Sequence, residues 1–196
     1  MNPAVQGPDK LAFAYRPSLL GTPWEFRLGA RGIDWSAGAK SGHLPYARVR
    51  RVRMSFRPGN MQLYRFVTEV WGEGGPRLVL ASTSWKSMVE HERLDRGYAA
   101  FVAELHRRLA QAAPAARFEQ GTNVLRYWPG VVVFAAISLG LALLVARALQ
   151  AHAIGGATLI GAFLALFLWQ GGDYFRRNRP RLYRPDRLPS ELMPKA

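Results

Sequence analysis

Hydrophobic and polar positions follow three rhythms along this chain, and each predicts a different kind of element. Up to about residue 87 the rhythm is short and close to period two. LAFAY (Leu11 to Tyr15) alternates apolar and small residues, and WEFRLGARGIDW (Trp24 to Trp35) reads as a strand, a turn at Ala30-Arg31-Gly32 and a second strand. In GHLPYARVRRVRMSF (Gly42 to Phe56), Val52, Met54 and Phe56 fall on one face and Arg51, Arg53 and Ser55 on the other, because successive strand side chains point to opposite sides. Arg57-Pro58-Gly59-Asn60 predicts a turn. Met61 to Gly72 and Pro76 to Thr83 predict a hairpin around Glu73-Gly74-Gly75.

The second rhythm is helical. Leu94, Tyr98, Phe101, Val102, Leu105 and Leu109 line one face at three- and four-residue spacing, Ser87 and Glu90 have the spacing of a capping box, and Pro114 bounds the far end. The third rhythm is an absence of period. Tyr127 to Ala146 carries no charge, and twenty helical residues span about 30 Å, the thickness of a bilayer's hydrocarbon core. Arg126 and Arg147 bracket this run, Tyr127 and Trp128 stand at an interfacial position, and Pro129 is expected in the first turn. A second uncharged run, Ala148 to Gly172, has its apolar heart at Ile154 to Trp169.

The chain thus divides into a tail (1–9), an α+β domain (10–112), a linker (113–126), a first transmembrane helix (127–147), a turn (148–153), a second transmembrane helix (154–174) and a basic, proline-containing tail (175–196). The domain is expected to be a small antiparallel barrel or sandwich of six or seven strands, closed by its amphipathic helix. Small residues at Ala136 and Gly140 on one span, and at Ala157, Gly161 and Ala165 on the other, predict the faces through which the helices pack.

Charge then orients the hairpin. Of a net +14, from 27 Lys and Arg against 13 Asp and Glu, the turn holds only His152 with Arg147 at its edge. The domain and the tail hold the rest, so both flanks are expected in the cytoplasm of a bacterial inner membrane. Met1 through Pro17 shows no basic region followed by an apolar core, and no cleavable signal is expected. The same distribution explains the high charge without nucleic acid, which is not expected as a partner. There is no cysteine, which excludes disulfides and thiolate chemistry.

The segment RGIDWSAGAKSGHLPYARVRRV, Arg31 to Val52, with Leu44-Pro45-Tyr46-Ala47-Arg48-Val49 inside it and the amphipathic helix that follows, resembles the bacterial pleckstrin-homology-like domains over residues 10–112. That resemblance implies a PH-like fold and an interaction module without a shared catalytic site. Many members of that family place their transmembrane hairpin before the domain, whereas here it follows.

Two clusters could carry function. Arg48, Arg50, Arg51 and Arg53 form the densest charge row in the domain, either a grip for anionic headgroups or partners, or a solvated strand face. Arg176, Arg177, Arg179 and Arg181 open the tail, either a second such surface or simply the topology signal. The prolines Pro180, Pro185 and Pro189, with Tyr183, predict an extended segment lying along some surface. His43, His91, His106 and His152 are scattered without ligand spacing, so neither a metal nor another cofactor is expected. No catalytic arrangement is legible. The expected function is a membrane-anchored, non-enzymatic interaction protein, an accessory subunit of a membrane complex or a homo-oligomer, with an anionic-lipid sensor as the alternative.

Overall fold

The computed structural model describes residues 11–58, 64–86 and 91–194. The chain forms two compact units. One is assembled from Met1–Gln120 together with Arg181–Ala196, the other from Gly121–Pro180.

The first unit is α+β. β1 (Ala12–Tyr15), β2 (Trp24–Leu28), β3 (Gly32–Ala37) and β4 (Lys40–Pro45) make an antiparallel meander in that order. After a 3-10 turn at Tyr46–Arg48 come β5 (Val49–Pro58), β6 (Tyr64–Gly72) and β7 (Leu78–Ala81), then the small hairpin β8 (Thr83–Trp85) with β9 (His91–Arg93). The helix α1 (Asp95–Ala112) is followed by β10 (Arg117–Gln120). β10 joins β5 in parallel, and β11 (Arg181–Leu182) adds antiparallel to β10, giving a mixed sheet ordered β11-β10-β5-β6-β7.

The apolar alternation read from the sequence is the core. Val52, Met54, Phe66, Val70, Leu78 and Leu80 turn inward from the mixed sheet, Phe13, Phe26, Leu28 and Ile33 from the meander, and all are essentially inaccessible. Tyr98, Phe101, Val102, Leu105 and Leu109 of α1 are equally buried, so the helix puts its apolar stripe into that core. Phe101 meets Phe13 at 5.7 Å and Phe26 at 6.4 Å between ring centroids. The buried Tyr98 hydroxyl is satisfied by Thr68 at 2.6 Å.

Three expectations change here. The sheets do not close into a barrel, and β10 makes the second sheet mixed rather than antiparallel. The stretch read as a linker contains that strand. α1 begins only at Asp95, after β9, with no side-chain cap; Ser87, Glu90, Gly59 and Asn60 lie outside the described residues.

The second unit is a helix pair, α2 (Val124–Gln150) and α3 (Ile154–Arg177). Both are long and apolar enough to cross a membrane. Asn123 caps α2, its side chain accepting from the Leu125 amide at 3.1 Å. Because α2 starts ahead of the uncharged run, Pro129 lies inside the helix rather than in its first turn. His152, in the tight connection, adopts a left-handed φ of 57°.

The packing face of the pair differs from expectation. Open space surrounds Gly140 and Gly161, and Ala136, Gly140 and Ala165 are exposed; only Ala157 is buried. Contact runs through rings instead. Phe134 of α2 lies 4.8 Å from Phe167 and 5.1 Å from Phe175 of α3. The Phe134 ring occupies the space a side chain at Gly171 would need. Tyr127 continues the cluster onto Phe175 at 5.7 Å, and its hydroxyl donates to the Phe175 carbonyl at 3.3 Å.

Candidate functional site

The face of the mixed sheet opposite the core collects most of this unit's unusual chemistry. Strand alternation puts Arg51, Arg53, Ser55 and Arg57 of β5 there. Register places Trp71, Glu69, Val67 and Arg65 of β6 against them in that order, and Arg117 and Glu119 of β10 beside Arg51 and Arg53. Ser55, Val67 and Glu69 are buried although they point away from α1, so this face is not bare.

Partners are specific along the row. The Arg51 guanidinium stacks over the Trp71 ring at 4.0 Å, and Arg53 approaches the same ring at 5.6 Å. Arg53 also donates through Nε and Nη2 to Glu119, at 3.1 and 2.5 Å, and only 17% of its side chain is accessible. Arg50 falls at the register shift between Val49 and Arg51 and pairs with Glu73. Arg48 is exposed in the 3-10 turn before β5. Three of the four arginines are therefore engaged within the unit.

The tail arginines separate. Arg176 and Arg177 each bond Asp173 at 2.8 Å on the last turns of α3, while Arg179 and Arg181 are exposed.

A second arrangement was hidden from sequence reasoning. The tail does lie along a surface, and that surface is its own α+β unit. Past β11, the Tyr183 amide donates to the Phe118 carbonyl at 3.1 Å, and the Tyr183 ring meets Phe118 and His106 at 5.8 and 5.7 Å. Tyr183 Oη sits 2.6 Å from His106 Nε2, while His106 Nδ1 faces the Val102 carbonyl at 2.7 Å. With its ring fully buried, His106 has its pKa lowered to about 4 by burial, against the smaller opposing effect of the Val102 carbonyl. Burial likewise pushes the Tyr183 phenol up. Leu192, in a 3-10 turn packed against β5, is 1% exposed. A cleft of about 680 Å³ between the end of α1, β10 and the tail is lined by Ala110, Ala113, Phe118, Leu182, Tyr183 and Pro185 among others. The sequence signal for this docking was the apolar residues of a basic tail, Tyr183 and Leu192 among them.

The chain matches no family model, no curated protein and no solved structure. Its functional reading therefore rests on its own residues.

Proposed function

We propose that this protein is a membrane-anchored, non-enzymatic interaction subunit. Its helix pair spans a bacterial inner membrane, and its α+β unit is held in the cytoplasm to bind a membrane-protein partner. The observation that carries the reading is the helix pair itself. Val132, Val133, Ile137, Leu139, Leu143, Ile154, Leu159, Phe163 and Trp169 all present large apolar side chains outward, and within two helices of this length only Ala157 is buried. Contiguous apolar surface on that scale needs a lipid or protein environment.

The α+β unit contains chain from before and after the helix pair, which supports a topology with both flanks on one side. The arginine surplus of those flanks favours the cytoplasmic side. The interaction reading is favoured over a lipid grip by the arginine row because Arg50, Arg51 and Arg53 are already engaged by Glu73, Trp71 and Glu119. Resemblance of Arg31 to Val52 to the pleckstrin-homology-like modules points the same way.

Purification of the full chain from native membranes in mild detergent tests this. A stoichiometric membrane-protein partner is the expected result. A chain that purifies alone, and whose association with acidic liposomes is lost on changing Arg48, Arg50 and Arg51 to Gln, would replace the interaction reading with the lipid-sensor one.

A further inference from the structure

At the far end of β5 from the arginine row, the same sheet face carries a second basic cluster. Arg57 in β5 stands directly across from Arg65 in β6. Like charges in that position oppose sheet pairing unless a negative group lies between or beside them. Glu69 supplies one negative charge, its buried carboxylate lying 3.6 Å from Arg57 and 3.3 Å from Arg77. Arg65 has no carboxylate partner among the described residues. Its Nε is sealed from solvent without a hydrogen-bond acceptor. Burial lowers its pKa, Tyr15 opposes that, and Arg57 adds to it. The Tyr15 hydroxyl donates to the Val79 carbonyl at 2.6 Å.

Glu69 faces two guanidinium groups, and Arg65, directly across from Arg57, adds a third, so one carboxylate leaves two of the three positive charges uncompensated. Arg57 and Arg77 are more than half exposed, so an incoming ligand can reach them, whereas Arg65 is half-buried and keeps a donor without an acceptor. A planar guanidinium fork matches the oxygens of a phosphate bidentately. Unlike a carboxylate with its single charge, a phosphate monoester carries close to two negative charges at neutral pH, the number left uncompensated here. We propose that Arg57, Arg65 and Arg77 form a binding site for a phosphate group. The site is separate from the row at Arg48 to Arg53 and does not rest on the interaction reading. Its phosphate can come from a phospholipid headgroup or from a soluble phosphate compound.

The test uses the full chain, first in detergent micelles. Thermal stability is followed against inorganic phosphate, with chloride at matched ionic strength as the reference. A saturable rise in Tm is expected with phosphate, absent in Arg65→Met, and in Arg77→Gln shifted to concentrations about ten-fold higher, the factor for one weakened contact of about 1.4 kcal/mol. Arg65→Met keeps the apolar stem and removes an uncompensated charge, so the unit is expected to fold. The second arm places the chain in nanodiscs of phosphatidylcholine with or without phosphatidic acid. A Tm rise confined to phosphatidic acid, and abolished by Arg65→Met, assigns the site to a headgroup; a rise with inorganic phosphate alone assigns it to a soluble ligand. No response in either arm, or an equal response in Arg65→Met, overturns the proposal.

Discussion

Two residues decide the packing of the helix pair, and neither stands out by composition. Gly171 is required because the Phe134 ring fills the volume its side chain would take. Replacing it with Leu should overpack that contact and weaken the pair by about 1–3 kcal/mol, whereas Gly161→Leu, with open space around it, should be close to neutral. Comparative unfolding of both variants in detergent checks this, and equal losses would contradict it. Within the α+β unit, Arg53→Gln should cost about 1 kcal/mol because it breaks the bond to Glu119, while Arg48→Gln at an exposed position should cost less than about 0.5 kcal/mol. Denaturant titration of the two variants separates a structural row from a merely solvated one. His106 sets a pH dependence whose sign is fixed. The unfolded chain takes up a proton near pH 6.5 and the folded unit only near pH 4, so stability should fall as pH drops through that window and level off below it. The full loss is roughly 3 kcal/mol at about 1.4 kcal/mol per pH unit. His106→Gln should flatten this part of the profile.

At the scale of elements, what was legible depended on how many residues carry the pattern. The ten residues of β5 and the eighteen of α1 each repeat their apolar period several times, so their buried faces could be read directly. β10 has four residues and β11 two, and their register comes from β5 and from each other rather than from any local period. The helix pair failed for the opposite reason. Apolar all round, α2 and α3 give no amphipathic signal, and the row of small residues was no better marked than the aromatic row that makes the contact. The phosphate-site arginines were equally obscure, since only the pairing of β5 with β6 brings Arg57 and Arg65 together. The tail, by contrast, makes a quantitative expectation possible. Ending the chain after Pro180 removes β11, leaves Leu192's site empty and strips His106 of Tyr183. Losing one buried Leu and one buried hydrogen-bond partner should destabilise the α+β unit by about 3–5 kcal/mol. Protease resistance of residues 11–120 in that truncation, equal to that in the full chain, would show the tail to be dispensable.

For the whole molecule the return of the tail has a consequence for topology and another for assembly. Reporter fusions after residues 150 and 196 should give opposite locations, the second on the same side as the α+β unit. A periplasmic reporter at residue 196 would contradict the reading. The second consequence concerns time. Synthesis runs from the amino end, so β11, Tyr183 and Leu192 leave the ribosome only after both apolar helices have been made. The sheet cannot receive its last strand, nor His106 its partner, until the helix pair has been made and the following segment has come back. On the proposed topology, a chain that stalls or inserts one helix only would keep β10 as an open edge, the kind of unpaired backbone on which aggregation begins and which quality-control proteases can attack. On that topology, maturation of the α+β unit would report on the anchor, being withheld from any copy whose helices are not both in place.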